Sequence, residues 1–246
     1  LLDQHHAVQL VGAGAAVLLG HGGAEEAGRA GLQPHLAVDV ALFLPALAMG
    51  LHLALPHDFV LSPTWIYPVL MGGFLVLLVA GDPGLVDHER GWIRVVTNLM
   101  IVLIALSNLF AIVRLCDGIL SSDQPEFAQQ PTQLLGIGAI VWATNVIAFA
   151  LWYWELDRGG PGRRADGTTA PPDFLFPQMS DPDLAAPGWT PAFVDYFYTS
   201  FTNATAFSPT DVLPLARWAK LVMMLQSAVS LVTVGLVVAR AVNVLK

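Results

Sequence analysis

The sequence predicts an all-α polytopic membrane protein with five or six transmembrane helices and a re-entrant helix-loop before the last of them. Three observations carry this. Charged residues make up 12% of the 246-residue chain and hydrophobic ones 55%, about half the charged share of a soluble domain, which is roughly 25%; mean hydropathy is +0.61. Several apolar runs approach or exceed the roughly 20 residues that a helix needs to cross a bilayer. Before the last run lies a short two-faced segment that ends in a Ser-Pro-Thr-Asp turn.

In chain order, residues 1–34 form an N-terminal apolar segment and a connector. The apolar run 7–20 (A-V-Q-L-V-G-A-G-A-A-V-L-L-G) is short for a crossing; with His5 and His6 it spans a thinned bilayer or lies in the interface. A connector rich in Gly and Glu follows to Pro34. The chain starts Leu-Leu-Asp, and no signal peptide is recognised there.

Residues 35–154 read as a transmembrane helical domain. The run 35–55 is apolar enough to span, with Asp39 near one end and Pro56-His57-Asp58 closing it. A second run, 65–80, is stopped by Gly-Asp-Pro-Gly. A long helix over 92–116 carries Arg94, Thr97, Asn98, Ser107, Asn108 and Arg114. At 100° per residue Arg94, Asn98 and Asn108 fall within about 80° of one another, a polar face that has to pack against protein rather than lipid. A polar, Pro-bounded connector leads to a span over 133–154, with Thr144 and Asn145 at mid-depth and Trp152-Tyr153-Trp154 as an interfacial belt. Glu155, Asp157 and Arg158 then mark the exit into water.

Residues 155–190 are a long polar loop whose aromatic insertions, D-F-L-F-P and G-W-T-P, suggest that it folds back onto the helices. Residues 191–246 hold the re-entrant segment and the final span. Thr190 suits an N-cap and Pro191 the first helical position. Phe193, Phe197 and Phe201 then share one side, and Asp195, Thr199, Thr202 and Asn203 the other. The closing helix, 215–244, is long enough to span with tilt, and its Gly235-x-x-x-Ala239 is a weak packing motif.

The net charge of -8 and pI of about 5.1 leave no basic patch for nucleic acid or polybasic lipid anchoring. The single Cys116 excludes an internal disulfide, and the seven histidines have no metal-ligand spacing. No phosphate loop, dinucleotide turn or nucleophile elbow is present, and Gly12-x-Gly14 lacks a third glycine and an acidic partner. Asp195 and Asp211 have no evident base or metal partner for hydrolysis. No enzymatic activity, cofactor or metal is therefore expected.

Residues 205–220, T-A-F-S-P-T-D-V-L-P-L-A-R-W-A-K, resemble the pore loop and inner-helix start of two-helix potassium channels, T-V-G-Y-G-D-x-x-P followed by x-x-x-W-x-R/K. Asp211, Pro214, Trp218 and Lys220 match the flanking positions, and Thr205 lies one place before the filter threonine. The filter is degenerate. Ala206 stands at the threonine, Phe207 at the valine, Ser208 and Thr210 at the two glycines, and Pro209 at the tyrosine. Aiming successive carbonyls at one axis needs residues that accept positive φ, which Ser, Thr and Pro resist, so no potassium filter is expected. The stretches W-A-T-N-V-I-A-F-A-L-W-Y-W-E-L-D-R-G-G-P, D-F-L-F-P-Q-M and S-F-T-N-A-T-A-F-S-P-T-D are also similar to a broad group of uncharacterised bacterial integral membrane proteins, some described as channel-like. That likeness covers residues 135–246 and transfers no activity.

The channel layout implies an external loop at 155–190. The arginines 158, 163 and 164, with Arg217 and Lys220, argue the opposite through the positive-inside bias. The resulting expectation is a channel-like protein of the bacterial inner membrane, a homo-oligomer passing ions or small solutes. Thr199, Thr202, Asn203, Thr205, Ser208 and Thr210 would line the path, and Asp211 would set local charge. The alternatives are a transporter or binder with a midplane site between 191–213 and the Arg94/Asn98/Asn108 face, and an accessory subunit that docks a partner on its polar faces.

Overall fold

The computed structural model describes residues 43–81, 91–121, 126–165, 167, 169–181, 183, 189–206 and 211–244. The apolar run 7–20, the filter-equivalent residues 207–210 and the C-terminal Lys246 lie outside the described residues. Nine α-helices are present among those described. They are α1 Phe43–Leu53, α2 Ile66–Gly81, α3 Gly91–Leu120, α4 Glu126–Gln129, α5 Pro131–Leu156, α6 Pro161–Ala165, α7 Pro177–Ser180, α8 Phe193–Ala206 and α9 Arg217–Val244. Two short strands, β1 Phe174–Leu175 and β2 Leu213–Pro214, pair antiparallel with Phe174 opposite Pro214.

Three of these helices, α3, α5 with its terminal turn, and α9, are long and apolar enough to cross a membrane. Among the described residues three helices of crossing length are thus present where five or six spans were expected. The described part of the first expected span, α1, and the apolar part of α2 are shorter helices. At about 1.5 Å per residue α2 reaches about 24 Å, less than the roughly 30 Å of a hydrocarbon core.

α5 is the central strut. Within its most apolar window 67% of residues are buried, against 44% in α3 and 28% in α9, because α3, α8 and α9 all pack on it. Exposed Leu221, Met224, Leu225, Leu231 and Val238 give α9 an apolar outer face suited to lipid. At the N-terminal end of α5 a core forms from Phe59, Ala111, Leu115, Leu134, Ile137, Val141, Val237 and Ala241. There Gly138 lets α9 approach: a Cβ on it would meet Val237 at 2.9 Å. The same end is tied by Arg114 Nε, which donates to the Asp58 carbonyl at 3.1 Å, and by Arg240 Nε, which donates to the Ala128 carbonyl at 2.9 Å.

The other end of α5 stops at Arg158-Gly159-Gly160, where φ is 51°, 84° and 108°. Two glycines accept this left-handed backbone at no steric cost. The chain there reverses over the helix end.

Candidate functional site

The region of interest is built by α5, α8 and α9 and by the loop that caps them. α8 begins at the C-terminal end of α5, where Phe193 meets Trp154 edge-on with ring centroids 5.7 Å apart. It descends antiparallel to α5, so that Ser200 Oγ donates to the Val146 carbonyl at 2.7 Å and Phe201 meets Trp142. α9 starts at the same end, held by Trp218 Nε1 donating to Asp173 Oδ1 at 3.0 Å. Ser200 pairs with Gln226, Asn203 with Ser227 and Ala204 with Ser230, so α8 and α9 run in the same direction. β2, which follows α8 in sequence, is back at the starting end beside β1.

The amphipathy of α8 is inverted relative to a soluble helix. Its buried side carries Tyr196, Thr199, Ser200, Asn203 and Ala204, while Val194, Tyr198 and Phe201 are exposed. Such a face suits an apolar surrounding, with the hydrogen bonds kept inside the protein. Gln226, 0% exposed, is the hub. Its Oε1 accepts from Tyr153 Oη at 2.6 Å and Asn203 Nδ2 at 2.8 Å, and its Nε2 donates to Ser200 Oγ at 2.7 Å and the Ser200 carbonyl at 3.1 Å. Asn203 Nδ2 also donates to the Met223 carbonyl at 3.0 Å, and its Oδ1 accepts from Ser227 Oγ at 3.0 Å. Ser230 Oγ donates to the Ala204 carbonyl at 2.6 Å, satisfying a backbone acceptor at the open end of α8.

A second cluster fixes the upper end. Asp157 is fully buried. Its Oδ2 accepts from Tyr196 Oη at 2.6 Å and its Oδ1 from the Asp173 amide at 2.9 Å. Arg164 Nη1 donates to the carbonyls of Trp154 and Asp157 at 2.8 and 2.7 Å, and its guanidinium lies 5.2 Å from the Tyr196 ring centre. Asp173 in turn accepts from the Arg158 amide at 2.8 Å and from Trp218. Glu155 is also buried and accepts from Asn98 Nδ2 at 3.3 Å, with Arg94 Nε 3.8 Å away. The sequence reading of Glu155, Asp157 and Arg158 as an exit into water is therefore corrected. The loop folds back over the helix end and gives Asp157 backbone amides, α8 gives it the Tyr196 hydroxyl, and Asn98 and Arg94 of α3 serve Glu155, so the two carboxylates are taken into protein.

The predicted site residues divide between these environments. Arg94, Asn98 and Asn108 all turn toward α5, the last through Asn145 at 3.5 Å. Thr199 and Asn203 are buried. Thr199, Thr202 and Thr205 donate their hydroxyls to carbonyls of α8 itself; Thr205 is exposed. Asp211 is exposed in the turn before β2, and Ser208 and Thr210 lie outside the described residues. The helix start expected at Thr190-Pro191 falls two residues later, at Phe193, where Asp195 Oδ2 accepts from the Ala192 amide at 2.7 Å. Burial pushes the Asp195 carboxyl up, and that amide bond acts the other way. Among the described residues no group of three or more His, Cys, Asp or Glu could hold a metal ion.

Two sites were not anticipated from the sequence. Gln226, Ser227 and Ser230 lie inside a run read as apolar, although the spacing of Gln226, Ser230 and Thr233 is a one-sided stripe. His52, 4% exposed, shares a 2.8 Å hydrogen bond with Ser107 Oγ through Nδ1 and stacks on Tyr67 at 3.8 Å. No family model, curated protein or solved structure matches the chain.

Proposed function

We propose that the chain is one subunit of a channel-like protein of the bacterial inner membrane, a homo-oligomer that passes ions or small solutes without potassium selectivity. One observation carries the reading: α8 and α9 start at the same end of α5 and run in the same direction. α8 has 14 residues, about 21 Å of helix, and the chain is back at the starting level by Leu213. A long helix, a short helix from its far end and a second long helix from that same end is the order that the pore-loop resemblance implies. A helix that ends at membrane depth is tolerated only where that end is buried in protein or lines a wet cavity. Ser227 and Ser230 of α9 serve the first condition, and copies arranged around an axis would serve the second.

The transporter and accessory readings are less well supported. The transporter reading needs an open polar face on α3, and the accessory reading open polar helix faces, whereas Glu155 and Asn145 of α5 already meet Arg94, Asn98 and Asn108.

Ion flux in proteoliposomes tests the proposal. Wild type is expected to pass ions with no strong preference for potassium over sodium, and Thr205→Leu to reduce that flux. Thr205 suits this purpose because it is exposed and, among the described residues, bonds to carbonyls of α8. Asn203→Leu would instead break the core network. No flux under any gradient or voltage would overturn the proposal.

A further inference from the structure

The middle of the bundle holds polar atoms that the proposed path does not use. Asn108 sits near the centre of α3 and reaches Asn145 of α5 at 3.5 Å, the long limit of a hydrogen bond. Asn145 is 2% exposed and Thr233 of α9 3% exposed. Asn145 Nδ2 and Thr233 Oγ1 have no hydrogen-bond partner among the described residues. Reversing both amides moves the unpaired atom of Asn145 from nitrogen to oxygen and does not remove it.

Helix geometry places the two residues on the same α5–α9 contact. Gly138 of α5 touches Val237 of α9. Asn145 is two helical turns along α5 from that contact, and Thr233 is about one turn along the antiparallel α9, each on the contacting face. Their backbones therefore lie within about 5 Å of one another in height. Asn108 closes the third side from α3. Buried polar groups in proteins are paired, and a bilayer interior offers no alternative partner.

We infer that the α3–α5–α9 junction binds a single water molecule at mid-depth, bridging the Asn145 amide and the Thr233 hydroxyl. A water both donates and accepts, so it satisfies either amide orientation together with the hydroxyl. Asn108, Asn145 and Thr233 are neutral and offer too few oxygens for a dehydrated cation. The inference rests on helix packing alone and stands or falls independently of ion passage.

Thr233→Val in the full chain, purified in detergent micelles, separates the two states of the junction by sign. Val keeps the shape and removes the hydroxyl. A bridging water loses a partner, and Tm falls by about 2–4 °C for a chain of this size. In a dry junction the change replaces an unpaired polar atom with a methyl group, and Tm stays level or rises, which overturns the inference. A high-resolution structure of wild type is expected to show density within about 3.2 Å of both Asn145 and Thr233, lost in Thr233→Val. Absence of that density in wild type overturns the inference whatever Tm does.

Discussion

Gln226 ties three helices together through one side-chain amide. Gln226→Leu leaves Tyr153 Oη and one N–H of Asn203 without their acceptor, while Ser200 Oγ keeps the Val146 carbonyl. Each stranded buried group costs about 1–3 kcal/mol in water-soluble proteins and less in bundles, where single bonds average about 0.6 kcal/mol. A loss of about 2 kcal/mol in unfolding free energy is expected, measured by denaturation in mixed micelles. Ser200→Ala is expected to cost less than half as much, since Gln226 Nε2 keeps the Ser200 carbonyl. Equal losses for the two variants would show that the hub is Ser200. Gln226 was legible in the sequence as one amide in an apolar run, with Ser230 and Thr233 four and seven residues on. Its partners were not, because hydropathy averages over the stripe and the pairing with Tyr153 is 73 residues away.

At the scale of elements, helix approach is set by small residues and helix ends by the loop. Gly138→Ala puts a methyl group 2.9 Å from a Val237 carbon, an overpacking that costs about 1–3 kcal/mol. Val237→Ala alone opens a cavity. The double variant is expected to be more stable than the sum of the single losses predicts, a positive coupling readable in a double-mutant cycle; strict additivity would mean that α5 and α9 do not touch there. The capping loop behaves differently. Phe174, fully buried, packs on Tyr153, Tyr196 and Trp218, so the folding-back suggested by D-F-L-F-P is what the loop does. Asp173→Ala removes the acceptor for Trp218 and Arg158. Limited proteolysis should then cut between residues 158 and 180 several-fold faster than in wild type, with α3 and α5 intact. The helices α3, α5 and α9 could be read from hydropathy because length and apolarity are local properties. The burial of Glu155 and Asp157 could not, since it depends on donors about 16 residues and more away. The two-sided pattern of α8 was visible, but which side faces protein follows from the solvent and not from the pattern itself.

At the scale of the whole molecule, the described cations separate by end. Arg94, Arg158, Arg163, Arg164, Arg217 and Lys220 gather where α3 begins, α5 ends and α9 begins, while Arg114 and Arg240 lie toward the opposite end. The positive-inside bias assigns the first end to the cytoplasm, which would make α8 enter from the cytoplasmic side, the reverse of the layout that the potassium-channel resemblance implies. Crossing number and sidedness can be read in one experiment. On a Cys116→Ser background, Arg163→Cys, Arg217→Cys and Asp117→Cys each place one exposed thiol, before α8, after it and at the far end of α3. If α8 enters and turns back, Arg163→Cys and Arg217→Cys react with an impermeant maleimide from the same side, and Asp117→Cys from the other. In intact cells with a permeabilised outer membrane, only Asp117→Cys is then expected to label; Arg163→Cys and Arg217→Cys label after the inner membrane is opened. Labelling of Arg163→Cys and Arg217→Cys from opposite sides would make α8 a crossing helix and remove the basis of the channel-like proposal. Labelling of both in intact cells would keep the re-entrant path and reverse its sidedness, with the ion pair to Glu155 and the Arg164 contacts outweighing the charge bias at that end.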